Sequence, residues 1–184
     1  MKKILALLLL LAFTLPGCEK DDICDADTPT TPRLVIEFYS YTDPDVLRAV
    51  TNLKVIADGQ TNGIVFNEAG TDVTRYLANV NKIAVPLDTS ADTINYQFIL
   101  NANSNDPSTI YTDTLQFNYT RQTVFISRAC GFSVVFNLNS SNDSPNPFVL
   151  NSDPAATQGT WIKNITVENY NLISENEIHL KIYF

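Results

Sequence analysis

From residue 33 onward, apolar and polar side chains alternate with a period of two. In the run "RLVIEFYSY", Leu34, Ile36 and Phe38 share one phase, while Val35, Glu37, Tyr39 and Tyr41 share the other. Successive side chains of a strand point to opposite faces, so this pattern marks a strand with one buried face. The same alternation recurs in "NLKVIAD", "GIVFN", "KIAVPL", "INYQFIL", "TIYTDTLQFNYT", "TVFIS", "GFSVVFNL", "WIKNITVENY" and "EIHLKIYF". In-phase sets are Tyr96, Phe98 and Leu100; Leu115, Phe117 and Tyr119; Phe132, Val134, Phe136 and Leu138; and Ile178, Leu180, Ile182 and Phe184. About ten short strands at close spacing predict an all-β chain, an antiparallel β-sandwich of immunoglobulin-like or similar type. Helical spacing is confined to "TDVTRYLANV", where Val73, Tyr76, Leu77 and Val80 predict one short turn at most. The polar stretch 140–159 reads as a long loop, of the kind that is often functional.

The first residues follow a different rule. Lys2 and Lys3 precede an apolar run of 12 residues, Ile4 to Leu15. A spanning helix needs about 20 apolar residues, so the run fits the hydrophobic core of a secretory signal. The segment Leu15-Pro16-Gly17-Cys18 resembles the lipobox of bacterial lipoproteins, with Pro16 where a small or β-branched residue is more usual. That resemblance implies cleavage before Cys18 and acylation of Cys18, which would hold the chain to membrane lipid without a spanning helix. Stable attachment needs more than one acyl chain, at about 0.8 kcal/mol per buried methylene. The alternative is an ordinary secreted protein with a free cysteine near its cleavage site. Lys20, Asp21 and Asp22 then resemble the export signal of Bacteroidota surface lipoproteins, against the plainer reading of a solvated acidic tether. The expected organisation is a signal at 1–17, a lipidated acidic and Pro/Thr tether at 18–32, and a β-sandwich at 33–184.

Charge and cysteines narrow the partners. Residues 1–17 hold Lys2, Lys3 and no acid, so the rest carries 10 basic and 20 acidic residues and a net charge of −10. Nucleic acid and anionic phospholipid both need a positive field, which argues against them. With Cys18 acylated, Cys24 and Cys130 remain, and in an oxidising compartment an even pair reads as a disulfide. It would tie the tether to the body of the domain; the alternative is two free thiols, with Cys130 buried.

The segments "TPTTPRLVIEFY", "VPLDTSADTINYQFIL" and "SRACGFSVVF" resemble an uncharacterised, domain-of-unknown-function family of Bacteroidota lipoproteins common in flavobacteria. The resemblance spans nearly the whole chain after the signal. It implies an outer-membrane lipoprotein of β-sandwich type, without an established activity, accompanied by an outer-membrane β-barrel partner.

No residue set singles out a catalytic centre. His179 is the one histidine, out of phase with Ile178 and Leu180, and reads as a solvated or rim side chain. Glu37, Glu68, Glu168, Glu175 and Glu177 are scattered, with no spacing that selects an acid–base pair. Asp21, Asp22, Asp25 and Asp27 lack the glycine and spacing of a calcium loop, so no metal is expected. Six glycines leave no phosphate cradle and no cofactor is implied. Tyr39, Tyr41, Tyr111, Tyr119, Tyr183 and Trp161 could stack on a glycan, although strands also favour such residues for packing alone. Trp161, at the end of the long loop, is the candidate ligand-binding residue. Thr93 and Thr114, in Asp-Thr-Ile and Asp-Thr-Leu, resemble the O-glycosylation motif of Bacteroidota envelope proteins. The expected role is therefore a non-enzymatic interaction subunit of an envelope assembly, on the cell surface or the periplasmic face. A glycan-binding module is the second reading, and an enzyme using carboxylates a remote third. A membrane barrel formed by the chain itself fits poorly, because the strands are short and irregularly spaced.

Overall fold

The computed structural model of the protein describes residues 23–24, 31–151 and 160–184. Among them are ten strands: β1 Leu34–Tyr39, β2 Lys54–Ala57, β3 Lys82–Val85, β4 Thr93–Leu100, β5 Tyr111–Ser127, β6 Gly131–Leu138, β7 Phe148–Leu150, β8 Asn164–Val167, β9 Asn171–Leu172 and β10 Leu180–Tyr183. They form two sheets, one ordered β3-β1-β10-β8 and the other β2-β4-β5-β6-β9, with β7 added beside β5. The fold is the expected all-β sandwich.

The four-stranded sheet joins distant parts of the chain. Its two central strands, β1 and β10, run parallel, with Ile36 opposite Leu180 and Phe38 opposite Ile182. β3 and β8 flank them antiparallel, with Ile36 opposite Ile83 and Ile182 opposite Ile165. In the larger sheet, β4 and β5 pair over eight positions, Thr93 with Asn118 through Leu100 with Tyr111. The alternating apolar sets converge on one core: Leu34, Ile36 and Phe38 from β1, Tyr96 and Phe98 from β4, Leu115, Phe117 and Tyr119 from β5, and Leu180 and Ile182 from β10 are all buried.

Three elements differ from the periodic reading. "GIVFN" forms no strand; Ile64 donates a single bond to the Val55 carbonyl at 2.8 Å and Phe66 turns away to Arg75. "TIYTDTLQFNYT" and "TVFIS" merge into the single long β5. The stretch read as one long loop contains β7, which pairs Phe148 with Phe117 and Leu150 with Leu115. The helical spacing near residue 75 yields a 3-10 turn, Asp72–Tyr76, with no buried residue.

The described chain forms two compact units. The larger takes in residues 31–123 and 134–184. The smaller takes in Ile23 and Cys24 with the stretch Val124–Ser133, the tip of the β5–β6 hairpin. Among the described residues no helix is long and apolar enough to cross a membrane.

Candidate functional site

Two polar residues of β5, Asp113 and Asn118, are buried, and together they hold the flanks of the loop at 139–162. Asp113 is in phase with Leu115 and Phe117 and fully buried. One carboxylate oxygen accepts the backbone N–H groups of Trp161 at 2.9 Å and Ile162 at 2.8 Å. The other accepts the Asn151 side-chain amide at 2.7 Å. Asn151 has a positive φ of 50°, and it locks to Thr114 through a backbone and a side-chain bond of 2.8 Å each. Asn118 does the same for the earlier half. Its amide donates to the Asn146 carbonyl at 2.7 Å, its backbone N–H to Pro147 at 2.9 Å, and its carbonyl accepts from Asn139. A buried polar group is stable when every donor and acceptor is used, so these clamps fix both ends of the segment. Residues 152–159 between them lie outside the described residues.

The expectation that Trp161 offers an open stacking face is corrected by this clamp. Its indole N–H donates to the Phe98 carbonyl at 3.0 Å, and its ring packs on Phe38 and edge-on to Phe184. Only 6% of the residue is exposed. Trp161 spans from β4 to β1 and belongs to the core. Phe184 is held in turn by Arg48, whose guanidinium lies 4.3 Å over the ring and donates to the Phe184 carbonyl at 2.6 Å.

His179 is likewise no rim residue. It is 0% exposed. Its Nδ1 accepts the Val35 N–H at 2.9 Å, while its own backbone N–H donates to the Val35 carbonyl at 3.0 Å. An accepting Nδ1 requires the neutral tautomer with its proton on Nε2. Nε2 has no partner among the described residues. Burial lowers the ring's pKa below its ordinary value near 6.5, opposed by Glu177 and Glu175. The phase argument misplaced His179 because β1 is buried on both faces here: Val35, expected outward, is buried with it.

Along the outer side of the four-stranded sheet, charges and tyrosines form a ladder. Lys82 pairs with Glu37 at 3.1 Å, Glu37 accepts the Tyr39 hydroxyl at 2.9 Å, and Lys181 pairs with Glu168 at 3.0 Å. Tyr39 packs beside Tyr183, with Lys181 over its ring. Glu175 holds Arg33 through 2.8 and 2.6 Å bonds, and this hydrogen-bonded pairing lowers the pKa of Glu175. Glu177 accepts from Asn169. These carboxylates are engaged by cations, amides or hydroxyls, with no two of them paired to each other. Among the described residues no three His, Cys, Asp or Glu gather into a metal site. Lys20, Asp21, Asp22, Asp25, Asp27 and Cys18 lie outside the described residues.

Of the two threonine candidates, Thr93 is exposed at the start of β4 and donates to Asn118 at 3.1 Å. The Thr114 hydroxyl is buried without a partner among the described residues, so it is closed to modification in the folded chain. Tyr119 is also unavailable for stacking. Its hydroxyl accepts the Asp88 N–H at 2.9 Å and donates to the Asp88 carbonyl at 3.1 Å, and burial pushes its pKa up to about 12. An open polar cleft of about 370 Å³, lined by Asn137, Asn139, Ser141, Asp143 and Tyr170, lies where β6 runs into the clamped segment.

The smaller unit contains the expected disulfide. Cys24 and Cys130 are bonded, with their Cα atoms 4.9 Å apart. The hairpin turns at 128–130. The Cys130 N–H donates to the Ser127 hydroxyl at 3.0 Å, and Gly131 takes a φ of +71°, a conformation that suits glycine. Phe125 and Phe132 meet edge to face, with centroids 5.3 Å apart. The disulfide follows from counting cysteines. The clamps on β5 do not, although a polar Asp113 in the inward phase is the signal that could have found one of them.

Residues 52–184 match a protein family described as "Family of unknown function (DUF6452)". No curated protein and no solved structure matches the chain.

Proposed function

The chain belongs to this family of unknown function, DUF6452, and we propose that it is a Bacteroidota envelope lipoprotein acting as a non-enzymatic subunit of an outer-membrane protein assembly. The observation that carries the reading is the 12-residue apolar run Ile4 to Leu15, followed directly by Pro16-Gly17-Cys18. Acylation at Cys18 would fix the sandwich to the outer membrane. Lys20, Asp21 and Asp22 would direct it to the cell surface. The disulfide at Cys24, six positions beyond Cys18, supports an anchoring role, since it ties the tether to folded structure. A binding role is supported by the way the titratable side chains are used. The lone histidine is buried with Nδ1 accepting a backbone N–H, and the carboxylates described above hold structural partners.

The partner is a membrane protein, a β-barrel in the reading taken from the sequence. A tagged chain recovered from detergent-solubilised outer membranes is expected to bring down one membrane protein in stoichiometric amount. Recovery of the lipoprotein alone contradicts the proposal. A glycan-binding role, with Trp161 in the core, would have to use the polar cleft beside Tyr170.

A further inference from the structure

We infer that the disulfide-closed hairpin tip is a membrane-contacting surface, which seats Phe125, Phe132 and Ile23 in the interface of the bilayer that holds the lipid anchor. This rests on the acylation of Cys18 proposed above. Four observations carry it.

The first is exposure. Among the exposed large apolar side chains of the described residues, Ile23 at 76% and Phe132 at 70% stand highest, and Phe125, at 60%, comes just after Ile173 at 62%. All three belong to the same small unit. Phe125 and Phe132 pack edge to face, so they present one contiguous apolar surface rather than two scattered rings.

The second is reach. Cys24 lies six positions beyond Cys18. A fully extended chain covers at most ~3.3–3.6 Å per residue, so Cys24 lies within about 20 Å of the acylated position. The Cα of Cys130 is 4.9 Å from that of Cys24. The tip is therefore tethered to the lipid surface by a shorter path than any other part of the described chain after residue 31. Tethering raises the effective concentration of a weak contact to the millimolar range for a short linker. Two phenylalanines and an isoleucine, too few to bind membranes alone, are then sufficient for a stable second contact.

The third is charge. The chain is acidic as a whole, yet no Asp or Glu occurs in the tip stretch Val124–Ser133, while Arg128 does. Arg128 is exposed in the turn itself. A guanidinium beside apolar side chains can reach up to lipid phosphate while its stem stays along the apolar surface. The acidic charge that argues against membrane binding for the whole chain is absent from the hairpin stretch and is concentrated instead in the tether around Ile23, at Glu19, Asp21, Asp22, Asp25 and Asp27.

The fourth is geometry. The turn is fixed by the disulfide, by Gly131 at positive φ and by the Ser127 bond to Cys130. A rigid tip does not have to be ordered on contact, which lowers the cost of docking.

The test uses the acylated chain, purified from its host in detergent and reconstituted into phosphatidylcholine vesicles. Phe132→Trp adds a reporter at an exposed position, and the native Trp161 serves as a buried, constant background. Flotation first establishes whether the chain is vesicle-bound. Vesicles containing lipid brominated along the acyl chain are expected to cut the added emission at least two-fold, with aqueous iodide having little effect. In Phe132→Trp combined with Cys24→Ser and Cys130→Ser, the bromolipid quenching is expected to fall by half or more. Vesicle-bound protein whose added emission is open to iodide and untouched by bromolipid overturns the inference and leaves the anchor standing. Protection from iodide in native outer membranes alone, and not in pure lipid vesicles, assigns the tip to a protein partner and also overturns it. Protein that does not float with vesicles removes both the anchor and the inference.

Discussion

Asp113 sits at an inward position of β5, and its two oxygens take three N–H groups from Asn151, Trp161 and Ile162. Removing an acceptor from a buried site leaves the donors unmade, which costs more than the bond contributed. Asp113→Asn turns one acceptor into a donor aimed at another donor, so a loss of about 3 kcal/mol is expected, read by urea unfolding. A loss below about 1 kcal/mol would show that the clamp is dispensable. His179 allows a pH prediction. Its native pKa is depressed by burial, so below about pH 6.5 the unfolded chain binds a proton that the folded chain resists. Stability is full above that pH and falls as pH drops toward the native pKa, by at most about 1.4 kcal/mol per pH unit. The lowered pKa values of Glu168 and Glu175 act only below their ordinary 4.5, leaving the interval from pH 7 to 5 to the histidine. Unfolding midpoints measured across that interval should slope in the native chain and stay flat in His179→Gln. From the sequence, His179 reads as a rim residue and Asp113 is not singled out. Single-strand phase cannot see that β1 is buried on both faces beside His179, nor that the partners of Asp113 lie 38 to 49 residues away.

At the scale of elements, the strands that alternate most regularly were legible: β1, β4, β6 and β10 fall where the period of two puts them. In β6 the phase persists while burial is lost along the strand, from buried Leu138 and Phe136 to exposed Phe132. Periodicity thus reports direction, and burial depends on what lies opposite. "GIVFN" shows the same limit, since it alternates and yet makes a single bond to β2. β7 and β9, of three and two residues, carry too few positions for a period and exist because Phe148 and Leu172 find partners already in place. The parallel pairing of β1 with β10 was not legible at all, because nothing local encodes contact between residues 36 and 180. That pairing places Leu180 on a central strand, fully buried. Leu180→Ala is expected to cost about 2–5 kcal/mol by cavity formation, whereas Ile173→Ala, at a largely exposed position, should stay within about 0.5 kcal/mol. Denaturant melts of the two variants decide it. Equal effects would mean that the four-stranded sheet is not part of the cooperative core.

For the whole molecule, the sandwich supplies a rigid body, and under the proposed function the tether would supply its address. The core residues come from strands spread from residue 34 to residue 182, so the larger unit needs nearly its full length to fold. The tether is bonded into the smaller unit through Cys24, a link that in the chain-entropy model stabilises by up to about 4.7 kcal/mol for a loop near 100 residues. The clamps, the buried histidine and the packed tryptophan all serve rigidity, which suits the proposed subunit role. Everything functional in this account then depends on Cys18 carrying lipid. The direct test is to grow the host with labelled palmitate and recover the native chain beside Cys18→Ser. Label in the native chain, none in the variant, and fractionation of the native chain with the outer membrane are expected. An unlabelled native chain that washes off the cells as soluble protein would contradict the account.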